Sequence, residues 1–122
     1  FLEGIDTPRA VALYVRFYPQ FQRAYMALGY PRGYFNDRLV DVVDHLLAAP
    51  TPPAPVAVQP VDVKGPYAMT RPWVHHRFAD PALESTTAGR KILARIGSDR
   101  ALRLKAKLAE LRRAIATAPA AR

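Results

Sequence analysis

Two side chains in the first half of the chain have the types and the spacing of metal ligands. Asp41 and His45 stand four residues apart, so a helix would place them side by side. A carboxylate and an imidazole suit zinc or manganese when other residues complete the coordination. A plain polar helix face gives the same pattern, because Arg38 lies three residues before Asp41. We favour the polar helix face and therefore expect no metal or other cofactor. A metal-dependent hydrolase that uses Asp41 and His45 is kept only as an alternative function.

The residues that usually carry nucleophilic catalysis are scarce. The chain has no cysteine, which excludes a thiol nucleophile, thiolate metal ligands and disulfides. Its two serines, Ser85 and Ser98, lie outside any Gly-x-Ser-x-Gly motif, and the sequence has no Walker loop and no Gly-rich dinucleotide motif. The sequence therefore predicts that the protein is not an enzyme.

The adjacent histidines His75 and His76 are a second candidate for metal or proton chemistry. Neighbouring residues of an extended chain point to opposite sides, so these two rings do not readily share one ion. A histidine that titrates near neutral pH can also sense acidity. We expect ordinary loop histidines here and assign them no role.

Aromatic and arginine side chains alternate in the first third of the chain. This mixture can stack on single-stranded nucleic acid or a glycan, but aromatic residues at helical spacing more often form a core. If one surface in this region binds a partner, the best candidates are Tyr18, Tyr30 and Tyr34. They stand beside Pro19 and Pro31, where an interrupted helix leaves unpaired backbone groups and a concavity.

The positive charge of the chain is concentrated in its second half. The net charge of the whole chain is +8; residues 1–63 carry a net −1 and residues 64–122 carry a net +9. A basic region attracts nucleic acid, anionic lipid or acidic protein. The candidate contact residues on the last predicted helix are Arg100, Arg103, Lys107 and Arg112. No nucleic-acid-binding signature accompanies them, so a cytoplasmic nucleic-acid-binding domain is kept only as an alternative.

Hydrophobic spacing places these side chains on helices. A helix is predicted to begin at Asp6-Thr7-Pro8, with a buried face formed by Val11, Tyr14, Val15 and Tyr18. Pro19 is expected to interrupt it and to start a second helix, whose inward face is Phe21, Tyr25 and Leu28, with Gly29 as its cap. After a turn at residues 30–33, a third helix capped by Asn36 has the stripe Phe35, Leu39, Val42, Val43, Leu46 and Leu47.

The second half begins with a proline-rich segment. Five of the eleven residues from 50 to 60 are proline, which favours an ordered extended crossover, with a short edge strand around Val56, Val58 and Val61. Residues 64–80 are expected to be irregular chain, packed by Tyr67, Met69, Trp73, Val74 and Phe78. Asp80-Pro81 then begins a short helical turn, followed by a helix with Ile92, Leu93 and Ile96 inside. A last helix after Gly97 has the stripe Leu104, Leu108, Leu111 and Ile115.

Nine short strings in a fixed order carry a family resemblance. They are YVRFYP at 14–19, FQRAY at 21–25, LGYP at 28–31, YFNDRL at 34–39, DHLLA at 44–48, FADP at 78–81, AG at 88–89, RIG at 95–97 and KAKL at 105–108. Together they resemble the bacterial family called domain of unknown function 3014. The segment from 64 to 76 departs from the family pattern.

The resemblance has implications for location rather than for chemistry. Members of that family are proteobacterial proteins in which one N-terminal membrane helix and a Pro-rich linker precede a periplasmic domain. The resemblance therefore implies a membrane anchor upstream of residue 1, and it implies no catalytic residue.

Taken together, these patterns predict an all-α fold, a compact bundle of five or six helices with a long Pro-rich crossover and at most one short edge strand. We expect a single helical domain over 1–122, with the first helices in 1–49, the crossover in 50–79, the C-terminal helices in 80–118 and a frayed end at 119–122. The leading function is a non-enzymatic interaction domain of an inner-membrane-anchored periplasmic protein. Its basic C-terminal face would bind a protein or an anionic envelope component.

Overall fold

The computed structural model describes residues 4–53, 55–61, 65, 71 and 75–118. In this part the chain forms five helices and one two-stranded sheet, which confirms the predicted all-α class with a short edge strand. In chain order they are α1 (Thr7–Ala27), α2 (Phe35–Leu47), β1 (Val58–Pro60), β2 (His76–Phe78), α3 (Pro81–Glu84), α4 (Ala88–Arg95) and α5 (Ser98–Ala116). The packing expected of Tyr67, Met69, Trp73 and Val74 and the frayed end at 119–122 lie outside the described residues.

The chain divides into two compact units. The first, which we call the helical unit, consists of residues 1–49 and 102–122; the second, the sheet unit, consists of residues 50–101. The helical unit contains α1, α2 and most of α5, and the sheet unit contains both strands, α3 and α4. The single domain predicted over 1–122 stays a prediction.

Helix α1 runs through Pro19 without a break, so the second helix predicted to start there is wrong. A proline inside a helix costs about 3 kcal/mol, because it has no N–H and its ring crowds the preceding turn. Packing across the proline offsets part of this cost: the ring of Tyr14 stacks on that of Phe21, with centroids 5.9 Å apart. The helix begins as predicted, since Asp6 Oδ1 accepts a hydrogen bond from the backbone N–H of Arg9 at 2.8 Å.

The buried face of α1 follows the prediction only in its first half. Val11, Tyr14 and Val15 are half-buried and Tyr18 is buried. Phe21 and Leu28, which were expected to face inward with Tyr25, are exposed instead. Leu28 is the C-cap, and Gly29 follows it at φ 102°, so the chain turns away before any element can cover that leucine.

The side chain of Gln22 holds the turn between α1 and α2. Its Oε1 accepts hydrogen bonds from the backbone N–H of Phe35 at 2.8 Å and from the hydroxyl of Tyr18 at 3.1 Å. Its Nε2 donates to the carbonyl of Gly33 at 2.8 Å. The predicted tight turn is confirmed by the bond from the N–H of Gly33 to the carbonyl of Tyr30. One side chain on α1 therefore fixes where α2 begins.

Asn36 was predicted to cap α2, and this is wrong. The N-cap is Tyr34, and Asn36 lies inside the helix, where its buried Oδ1 accepts a hydrogen bond from the hydroxyl of Tyr14 at 2.9 Å. Burial, together with a smaller contribution from the neighbouring Tyr18, raises the pKa of Tyr14 to about 12. Of the predicted apolar stripe of α2, Val43 is buried and Phe35, Leu39, Leu46 and Leu47 are half-buried, but Val42 was wrongly placed there, since it is 38% exposed. The amide is thus a packing residue that joins α2 to α1.

In the sheet unit, β1 and β2 pair antiparallel, with Val58 opposite Phe78 and Pro60 opposite His76. The edge strand was predicted, but β2 was expected to be irregular chain. A three-residue strand shows too little alternation to be recognised from its sequence. Phe78 is 1% exposed, and the guanidinium of Arg95 lies 5.0 Å from its ring centre. This phenylalanine is the centre of the packing in the sheet unit.

Helices α3 and α4 close the sheet unit. Asp80 caps α3 as predicted, since its Oδ1 accepts from the N–H of Ala82 at 2.8 Å. Ile92 was expected inside, but it is 59% exposed while Leu93 is 3% exposed. Adjacent residues differ by about 100° around a helix, and this eight-residue helix has only one side to bury. The helix ends as predicted, with Gly97 at φ 87°.

Candidate functional site

Two of the predicted partner-binding residues on α5 are engaged within the helical unit. The side chain of Lys107 is 11% exposed; its Nζ donates to Thr7 Oγ1 at 2.7 Å and pairs with Glu110 at 3.0 Å. Arg112 binds both carboxylate oxygens of Asp44, through Nε at 2.5 Å and Nη2 at 2.7 Å. These cations attach α5 to α1 and α2, which gives them a structural role.

The hydrogen-bond partners of the carboxylates in these contacts lower the pKa of each carboxylate. The hydrogen bonds from Arg112 hold the pKa of Asp44 below its usual value. The pKa of Glu110 is lowered mainly by the hydrogen bond with the hydroxyl of Thr7, and next by the hydrogen bond with Lys107. Both carboxylates are therefore charged at neutral pH, and two of the positive charges of α5 are matched inside the unit.

An open depression on α5 is lined mainly by charged side chains. It is lined by Arg103, Ala106, Lys107, Glu110 and Arg113, and we call it the α5 basic surface. Three cations and one carboxylate line it, so the surface has a net charge of +2. Arg103 and Arg113 are exposed. Arg100 is exposed as well, but it belongs to the sheet unit and is not part of this surface.

The structure separates the three candidate tyrosines. Tyr18 is 6% exposed and its hydroxyl is bound to Gln22, so it offers little to a partner. Tyr30 and Tyr34 are 55% and 54% exposed at the turn before α2. The ring of Tyr30 stacks on that of Tyr25, with centroids 4.7 Å apart, which fixes its orientation. Only the two turn tyrosines are available for contact.

The residues considered for metal binding do not converge. Asp41 and His45 are both exposed on α2. Within the described ranges, no group of three or more His, Cys, Asp or Glu residues could hold a metal ion. His75 and His76 are exposed too, and the carbonyl of His76 accepts a long hydrogen bond from Arg95 at 3.4 Å. The hydrolase alternative stays a prediction.

A second surface was missed by the sequence analysis. It is a row of exposed apolar side chains on α1, which we call the α1 apolar stripe: Leu13, Phe17, Phe21 and Leu28. Spacings of four, four and seven place these residues on one side of a helix. The signal was present in the sequence, but Phe21 and Leu28 had been assigned to the core and Leu13 and Phe17 to neither side.

Three arginines accompany the stripe. Arg9, Arg16 and Arg23 are exposed and follow one another at intervals of seven residues, so they form a row beside the stripe. The guanidinium of Arg16 lies 5.7 Å from the ring centre of Phe17. We call this row the α1 arginine row. Both surfaces of the helical unit carry positive charge. The α5 basic surface has one small apolar residue, Ala106, whereas the α1 arginine row lies beside the large side chains of the α1 apolar stripe.

None of the helices in the described part is long and apolar enough to span a membrane.

Comparison with known proteins identifies the family of the chain. No curated protein and no solved structure matches the chain. A family model described as "Protein of unknown function (DUF3014)" matches residues 1–112 of the 122, which confirms the resemblance noted from the sequence. The chain belongs to this family.

Proposed function

We propose that the protein is a non-enzymatic interaction domain that binds an anionic component of the bacterial cell envelope through the α5 basic surface. The observation that carries this proposal is that three cations, Arg103, Lys107 and Arg113, line one open depression with a single carboxylate, that of Glu110. Since the depression is open to solvent, a negatively charged headgroup or side chain can approach it. No catalytic motif in the sequence competes with a binding role.

The charge of α5 supports the same conclusion. Its sequence has six basic and two acidic residues. Two of the basic residues, Lys107 and Arg112, already have carboxylate partners. Each exposed Lys or Arg near an anionic surface contributes about 1 kcal/mol, and salt screens that attraction. Binding should therefore be moderate in strength and sensitive to ionic strength.

The test of binding uses a variant that spares the structural cations. Arg103→Gln with Arg113→Gln removes two charges, and Arg38→Gln with Arg77→Gln is a control with the same loss of charge at exposed positions elsewhere. With vesicles of phosphatidylglycerol, the first pair should bind about 30-fold more weakly than the parent, from about 1 kcal/mol per residue. The control should bind nearly as well as the parent. Equal binding by both double variants would refute the proposal.

Nucleic acid is the competing partner in the same experiment. Binding to a DNA or RNA oligonucleotide must weaken steeply as salt rises, because bound counterions are released. Retention on an oligonucleotide at salt concentrations that release the vesicles would replace the proposal with the nucleic-acid alternative. An absence of binding to either probe at low salt would overturn both.

We also propose that the domain works on the periplasmic side of an inner membrane to which the protein is anchored. Membership of the family supports this location, because the resemblance implies an upstream membrane helix. The lack of cysteine allows a direct test. Ser85→Cys, at an exposed position, should react with a membrane-impermeant maleimide in cells with a permeabilised outer membrane. Labelling only after lysis of the inner membrane would refute this location.

A further inference from the structure

The α1 apolar stripe exposes more apolar surface than a solvent-facing helix normally does. Its members are 60%, 41%, 41% and 76% exposed from Leu13 through Phe17 and Phe21 to Leu28. The exposure is greatest at the two ends and lowest at the two central rings. A contiguous apolar row on a soluble domain usually marks an interaction surface.

The charges that α1 itself carries all have one sign. Helix α1 contains no acidic residue between Thr7 and Ala27, whereas it carries the α1 arginine row. Within the part of the chain that the structure describes, none of these arginines forms an ion pair; Arg23 donates only to the carbonyl of Pro19, at 3.4 Å. The row is therefore a set of cations that can pair with carboxylates outside this chain.

We infer that the α1 apolar stripe is a docking site for an amphipathic helix of a partner protein whose apolar face is flanked by acidic residues. The stripe spans residues 13 to 28, which is about 22 Å or about four helical turns. A helix of that length lays its apolar side chains into a shallow groove with anchors one turn apart. Its carboxylates then meet the α1 arginine row.

The charge of α1 argues against a second copy of this chain as the occupant. A second copy of this chain brings no carboxylate on α1, because that helix has none. Two copies paired antiparallel through the stripe would place arginine rows against each other. An anionic lipid surface also accepts apolar side chains flanked by arginines, and the vesicle measurement below distinguishes it from a helix. The arginines along α1, with no acidic residue in that helix, favour a partner helix with acidic flanks.

This docking site is distinct from the α5 basic surface, so neither proposal depends on the other. The probe for the test is a synthetic helical peptide of 18 residues, with leucine on one face and glutamate on both sides of it. A second peptide has lysine in place of every glutamate. Binding is measured to the intact chain by calorimetry or fluorescence anisotropy. The acidic peptide should bind at least tenfold more tightly than the lysine peptide.

Matched substitutions then locate the contact. Leu13→Gln should weaken binding of the acidic peptide about tenfold, because the partner would cover a leucine that is 60% exposed. Leu102→Gln, at a leucine that is 58% exposed on α5, is the control and should leave binding unchanged. Arg16→Glu with Arg23→Glu should weaken binding about tenfold or more, and high salt should reduce that difference.

Several results would overturn the inference. One is equal weakening by Leu13→Gln and Leu102→Gln, and another is equal affinity for the two peptides. A third is concentration-dependent dimerisation that Leu13→Gln abolishes, which would make the stripe a contact between copies. A fourth is binding to phosphatidylglycerol vesicles that depends on Leu13 and not on Arg103 and Arg113, which would make it a lipid contact. Unchanged urea denaturation of each exposed-site variant shows that folding is intact.

Discussion

Truncating the side chain of Gln22 should lower the stability of the helical unit, because this one side chain makes three hydrogen bonds. Gln22→Ala deletes the acceptor of two hydrogen bonds, from the N–H of Phe35 and the hydroxyl of Tyr18, and the donor of a third, to the carbonyl of Gly33. Two of these partners belong to the segment that leads into α2. The variant should therefore loosen the start of α2 as well as destabilise the unit.

The expected loss follows from the number of bonds. Each hydrogen bond contributes about 0.5–1.5 kcal/mol net, and a buried partner left without one adds to the cost. Tyr18 is buried at 6% exposure, so its hydroxyl cannot easily turn to water. We expect a loss of about 2–4 kcal/mol in the free energy of unfolding, a large part of the stability of a typical domain. With a urea m-value of about 2 kcal/mol/M, the midpoint should fall by about 1–2 M.

The assay is urea denaturation followed by far-ultraviolet circular dichroism, with tyrosine signals as a second probe. Gln20→Ala is the matched control, because Gln20 is an exposed glutamine on the same helix. Its midpoint should remain within about 0.3 M of the parent, as is usual for surface changes. A Gln22→Ala midpoint inside that same range would show that the three bonds contribute nothing measurable, and the reasoning would fail.

The charged isostere extends the same prediction to pH. In Gln22→Glu, a carboxylate oxygen replaces the nitrogen that donates to the carbonyl of Gly33, and only the protonated acid can donate there. The folded state should therefore raise the pKa of this glutamate above its unfolded value. The resulting stabilisation is present below the unfolded pKa and is lost as the pH rises through the folded one. Relative to the parent at each pH, the variant should be less stable at pH 7 than at pH 4.

Three further predictions concern the two units separately. Pro19→Ala should stabilise α1 by about 1–2 kcal/mol in urea denaturation, because an exposed mid-helix proline is removed; a destabilisation would show that the ring is needed. Leu93→Ala should cost about 2–4 kcal/mol and Ile92→Ala under about 1 kcal/mol, and similar losses would contradict the burial of α4. The hydrogen bond from Lys91, followed by that from the N–H of Phe78, lowers the pKa of Glu84. Its stabilisation is therefore present above the unfolded pKa and is lost as the pH falls through the folded one; Glu84→Gln should flatten this acid dependence, and an unchanged pH profile would refute it.

Local signals in the sequence predicted the ends of elements well. Asp6 and Asp80 cap the helices that they were expected to cap, and Gly29 and Gly97 adopt the positive φ that ends a helix. These features depend on a few neighbouring residues and on backbone geometry. Such interactions can be read from the sequence because both partners are close together in it.

The errors came from contacts between residues that are not immediate neighbours in the sequence. The sequence near Pro19 predicts a break, but the stacking of Tyr14 on Phe21 across it keeps the helix whole. Asn36 resembles a cap, yet it meets the hydroxyl of Tyr14 on another helix. The first contact lies within one helix and the second joins two helices, and each goes against the preference of the immediate neighbours.

The candidate surfaces were less predictable than the fold. The pattern of basic residues on α5 did not show which cations hold the unit together, because that depends on Thr7 and Asp44, about 100 and 68 residues away from Lys107 and Arg112. The exposed side of α1 could have been found from its heptad spacing of arginines and its lack of acidic residues. Distinguishing it from the buried side required knowing which face α2 covers.

The order of the two units along the chain has a consequence for synthesis. The helical unit is interrupted after residue 49 and resumes at residue 102. The partners of Thr7, Asp44 and the carbonyl of Ala49 all lie on α5. During synthesis, α1 and α2 therefore emerge from the ribosome long before α5, the helix that completes their packing. The two amphipathic helices stay without their packing partner until α5 emerges, which exposes them to aggregation, and a premature stop codon anywhere before α5 leaves them without that partner.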